Sequence, residues 1–170
     1  MPAAESDDWF TFTTSRMSLW GLWLGNRDLV SGGGPQYSTD EAWGIDEHGR
    51  TYPLDDPNRS WWTPEKFASE IGQVRKLALR TSLVPGSLNK TWEEQKALIG
   101  ENEQVPSARD MVDGMVQYYR ETGKRIFDHV MARTSTPDIA VGYYYTHIMV
   151  NYWQNGRRES DVGVAACREV

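Results

Sequence analysis

The sequence predicts an α+β fold: a mostly antiparallel sheet with a C-terminal three-stranded meander, and two to three helices packed on one face. Three observations lead there. Aromatic and β-branched residues gather at Trp9–Thr13 and again from Ile139 to Tyr152, apolar residues recur at helical spacing in the middle of the chain, and turn chemistry separates these stretches. A length of 170 residues fits a single domain spanning residues 1–170 that needs no disulfide or metal to hold a core. Hydrophobic residues make up 39% and charged ones 25%, the balance of a globular chain.

Trp9-Phe10-Thr11-Phe12-Thr13 suits a pleated, half-buried surface and predicts the first strand. Leu19-Trp20-Gly21-Leu22-Trp23-Leu24 would be apolar on both faces if extended, so it reads as a central strand or a buried turn. Ser31-Gly32-Gly33-Gly34-Pro35 is a loop, because a phosphate cradle would need a lysine and a following helix. Residues 42–54 read as a hairpin turning at Glu47-His48-Gly49-Arg50, followed by turn chemistry at Asp55-Asp56-Pro57-Asn58.

Thr63-Pro64-Glu65 combines an N-cap, a first-turn proline and an acid, so a helix is expected from there to about Arg80, burying Phe67, Ile71, Val74 and Ala78. Thr91-Trp92-Glu93-Glu94 is a capping box that predicts a short helix over Trp92–Ile99, closed by Gly100. A third helix starts near Pro106-Ser107, shows an apolar face at Val112, Met115, Val116 and Tyr119, and stops at Gly123. In residues 124–133, Ile126 and Val130 suit a helix while Phe127, His129 and Met131 alternate, and we take the segment as a strand. Strand composition returns over 139–152, and a turn at 154–158 leads to a last strand over 162–167.

Twenty-four acids against eighteen bases give a net charge of −6, which argues against a partner of duplex nucleic acid. The short basic groups at Arg75-Lys76 with Arg80, Lys124-Arg125 and Arg157-Arg158 read as solvated surface. The acidic start carries no signal-peptide pattern and no run approaches a membrane span, so a cytoplasmic or intracellular-particle location is expected. The single Cys167 reads as a buried residue in a strand, with no local signal of the activation a nucleophilic thiol needs.

His48, His129 and His147 are far apart and form no metal-type pair, although His129 and His147 would meet if their strands were neighbours. Adjacent acids and scattered hydroxyls set up neither a carboxylate pair across a cleft nor a nucleophile elbow. No cofactor, metal or catalytic residue is therefore assigned. Trp92-Glu93 resembles the tryptophan–glutamate element of the translation-initiation cap-binding proteins, which hold a methylated guanine between two aromatic rings. The likeness covers a handful of residues, and the capping box accounts for Trp92 without it.

Eight tryptophans and eight tyrosines are the stronger signal. Adjacent side chains of an extended segment point opposite ways, so one ring of Trp61-Trp62 is expected at the surface, as is one face of the stretch containing Tyr143, Tyr145, Tyr152 and Trp153. Exposed rings of this size anchor interfaces. The expectation is a non-catalytic protein-interaction or assembly module with a protein partner or a second copy of itself. The alternatives are a carbohydrate or other small-ligand binding domain, and a small hydrolase-like enzyme with a histidine base.

Overall fold

The computed structural model describes residues 8–30, 43–45, 51–53, 65–144 and 146–170. In chain order the elements are β1 (Trp9–Thr13), α1 (Leu19–Gly25), β2 (Trp43–Ile45), β3 (Thr51–Pro53), α2 (Lys66–Ser69), β4 (Lys76–Arg80), α3 (Trp92–Lys96), α4 (Ala108–Thr122), β5 (Met131–Arg133), β6 (Ile139–Tyr144), β7 (His147–Tyr152), β8 (Val162–Val164) and β9 (Cys167–Glu169). The class is α+β. One antiparallel sheet has the order β1-β4-β9, a second runs β7-β6-β5-β8, and β2 pairs with β3 as the expected hairpin. Within the second sheet β5, β6 and β7 form an antiparallel meander in which the stretch 139–152, expected as one strand, supplies both β6 and β7, while β8, expected to close the meander, joins β5 in parallel.

Helix α4 holds the two sheets together. Ser107 caps its start, the hydroxyl accepting the Asp110 N–H at 3.1 Å, and Gly123 ends it in the left-handed region at φ 70. Its first nine residues, Ala108 to Val116, are all buried, the mark of a helix covered on every side. It contacts β1 of one sheet and β6 and β7 of the other. Gly114 permits this closeness, because a Cβ there would come within 2.8 Å of the Phe12 ring and 2.9 Å of Leu79.

Four other segments differ from the expectations. Leu19–Gly25 is a helix, not a strand or turn: Ser18 accepts the Gly21 N–H, and Leu19, Leu22 and Trp23 share one buried face. The helix expected up to Arg80 ends at Ser69, and the chain then runs extended into β4. Leu77 and Leu79 bury themselves beside Phe12 and Phe10 of β1, so tertiary burial outweighs helical periodicity there. Consequently Ile71 and Val74 stand exposed.

In residues 124–133 only Met131–Arg133 is strand, because Phe127 and His129 take φ of 55 and 60 and break the extended backbone. The last strand splits at Ala165-Ala166, β8 going to one sheet and β9 to the other. The Gly32–Gly34 loop, the hairpin turn with His48 and the turn at 55–58 lie outside the described residues, as do Thr63 and Pro64.

Candidate functional site

A cleft of about 250 Å³ opens between the extended segment 70–75 and the first turn of α4. Phe67 and Ile71 form its apolar wall, while Arg75, Ser107, Asp110 and Thr136 supply polar groups. Beneath them lies a network of charge. The Asp110 carboxylate, 3% exposed, accepts from Arg75 Nη2 at 2.5 Å and from the neighbouring Arg109 guanidinium. Arg109 Nη1 also donates to the carbonyls of Ser15 at 2.7 Å and Met17 at 3.2 Å. Asp113, one turn further along α4, accepts the Ser15 N–H at 2.7 Å and the Gln117 amide at 2.8 Å.

Taking these charges out of water is costly, and the network offsets it by giving each ion several partners of good geometry. The hydrogen bond to Asp110 raises the pKa of Arg75 above its ordinary value, against the opposing effect of burial. Segment 70–75 is pinned as well. The Gly72 N–H donates to the Arg16 carbonyl at 3.2 Å, and the Thr14 hydroxyl donates to the Gln73 carbonyl at 2.6 Å and accepts the Arg75 N–H at 3.0 Å. Gly72 packs against the Arg109 guanidinium, with no room for a Cβ. The cleft is thus a rigid trough with an apolar lip.

Of the aromatic residues singled out from sequence, the described ones, Tyr143, Tyr152 and Trp153, do not share one exposed surface. Trp61, Trp62 and Tyr145 lie outside the described residues. Tyr143 is a correction: it is 1% exposed, on the core side of β6 opposite Ile148, and burial raises its hydroxyl pKa to about 12. Tyr152 is exposed, at the end of β7 opposite Ile139. Trp153 is partly buried against Met131, Ala140 and Val162, with Arg157 over its ring. Tyr144 is exposed on the sheet face opposite to that of Tyr143.

His129 is exposed in a left-handed turn with Asp128 3.8 Å away, and His147 lies on β7 with Nδ1 2.8 Å from the Thr146 hydroxyl. No hydrogen bond joins the two histidines, and neither lines the cleft. Cys167 is buried in β9, its thiol pushed up to about 12 chiefly by burial, so it is not a thiolate at neutral pH. Trp92 opens α3 behind an intact capping box, its ring packed against the Val84, Val164 and Ala166 cluster with Lys96 above it.

Arg75, Arg109 and Asp110 were visible in the sequence only as a short basic group and a helix start. Charged residues at 109, 110 and 113 beside Met111 and Val112 signal burial only if the helix is known to be covered on all sides. Among the described residues no cluster of His, Cys, Asp and Glu is arranged to hold a metal ion, and no helix is long and apolar enough to cross a membrane. Comparison with family models, with curated proteins and with solved structures finds no match for this chain.

Proposed function

We propose that this chain is a non-catalytic protein-interaction module that receives an extended segment of a partner along the 70–75 cleft. The observation supporting the reading is the exposure of Ile71, at 61%, beside the cleft on a backbone pinned at Gly72, Gln73 and Arg75. Aliphatic side chains held out on a rigid backbone can be covered with little ordering cost. The cleft volume lies just under the roughly 300–1,000 Å³ of small-molecule pockets, and suits one or two inserted partner side chains better than a free ligand. Phe67 is the one aromatic ring among the described residues lining it, which supports the carbohydrate alternative less.

The test is site-specific photocrosslinking in cells of the source organism, with a benzophenone side chain at position 71 and, as a control, at exposed Glu121. The expected result is a discrete protein adduct, or a covalent dimer, at 71 alone. An unmodified chain at 71, with a monomer by light scattering, would overturn the proposal.

A further inference from the structure

The β1-β4-β9 sheet turns Phe10, Phe12, Leu77, Leu79 and Cys167 to the core, so the residues between them face the other way. On that outer face Trp9 lies opposite Arg80, Thr13 opposite Lys76, and Arg168 opposite Ala78. The face carries three cations. Among the described residues no carboxylate stands within ion-pair distance of Lys76, Arg80 or Arg168, in a chain whose net charge is −6. Glu103, next to the Gln104 that pairs with Cys167, has its carboxylate turned back onto the Gly100 N–H at 3.2 Å. The Trp9 ring links the arginines, its centroid 4.5 Å from Arg168 Cζ and 5.6 Å from Arg80 Cζ. Ala78 at the middle of the face is covered, 1% exposed, and the Trp9 ring is anchored on its other side against the Val84, Val164 and Ala166 cluster.

We propose that this outer face binds an extended acidic segment of a partner protein in which carboxylates occupy alternate positions. Spacing is the first ground. Lys76, the Ala78 level that carries Arg168, and Arg80 follow one another at steps of two residues, about 7 Å along the strand. Carboxylates at every second residue of an extended peptide repeat at the same interval. The second ground is charge: the excess of acids repels a long polyanion such as single-stranded nucleic acid at a distance, whereas a short segment with three or four carboxylates meets mainly the local cations. The guanidinium groups add paired N–H donors suited to carboxylates, and the indole against them keeps both in place. This surface is separate from the 70–75 cleft, so the proposal holds whatever the cleft receives.

The experiment is fluorescence anisotropy at low salt with a labelled twelve-residue peptide of alternating Glu and Ser, beside a block peptide of the same composition and an oligothymidylate. The alternating peptide is expected to bind more tightly than the other two and to weaken as salt rises. Arg168→Gln and Lys76→Gln should each weaken it about threefold, as for half-exposed charges, while Lys124→Gln, the same change of net charge elsewhere, leaves it unaltered. Lys76 is exposed at the edge of the face, so its variant keeps the test valid if Arg168→Gln unfolds. Tighter binding of the oligothymidylate, equal binding of the block peptide, equal weakening by Lys124→Gln, or no binding of any probe would overturn the proposal.

Discussion

Gly72 and Arg109 are in direct van der Waals contact, backbone on guanidinium: a Cβ at residue 72 would stand 1.9 Å from Cζ and 2.3 Å from both terminal nitrogens of Arg109. No side chain fits in that gap. The contact joins the extended segment before β4 to the first turn of α4 and leaves Arg109 facing Asp110 and the Ser15 carbonyl.

Gly72→Ala should therefore displace Arg109 and destabilise the fold by about 1–3 kcal/mol, the usual cost of overpacking. Urea unfolding measures it as a lower midpoint at unchanged slope. Combined with Arg109→Met, the two losses should be far from additive, because they disturb one contact.

Asp110→Ala takes from Arg109, 9% exposed, its hydrogen-bonded carboxylate and leaves it only the more distant Asp113 carboxylate at 3.7 Å. The expected loss is about 3–5 kcal/mol. Glu169→Ala removes only the exposed 3.4 Å partner of Arg75 and should cost less than 1 kcal/mol. Equal losses in thermal or chemical unfolding would show that the network is not the anchor of the cleft.

Glu94 gives the fold an acid-sensitive bond. Its carboxylate is held down to about 2, first by the hydrogen bond from Arg158 and then by the Thr91 N–H of the capping box. Since the folded value lies below the roughly 4.3 of an unfolded glutamate, its stabilising effect is complete above that pH and fades as the pH falls toward 2. Wild type and Glu94→Gln, compared by urea midpoint, should differ at pH 7 and converge near pH 2.

Cys167 should be inert in the folded protein. With no exposure and a thiol raised to about 12, it should resist a disulfide reagent at pH 8 and react at once when urea unfolds the chain. Fast labelling of the native state would contradict its burial in β9.

Much of the architecture could be read from local pattern. Ser107 and Gly123 bound α4 as a cap and a left-handed stop, and the Thr91–Glu94 box forms as its spacing requires, because these signals are satisfied within a few residues. Where partners are distant, pattern failed. Ile71, Val74 and Ala78 share a helical period, yet β1 and β9 claim residues 76–80 from across the sequence and leave Ile71 and Val74 in solvent. The candidate site was hidden for the same reason: Arg75, Arg109, Asp110 and Ser15 meet only in three dimensions, and aromatic abundance drew notice to Tyr143, which the core absorbs.

β4 takes one neighbour from residues 9–13 and the other from 167–169. Closing that sheet means ordering intervening stretches of about 60 and about 85 residues before either pairing is rewarded. A ribosome must then release the chain as far as residue 169 before Phe10, Phe12, Leu77 and Leu79 find lasting cover. Until that moment the nascent chain presents greasy strands to its surroundings, and it should depend on chaperones during synthesis far more than its finished form does.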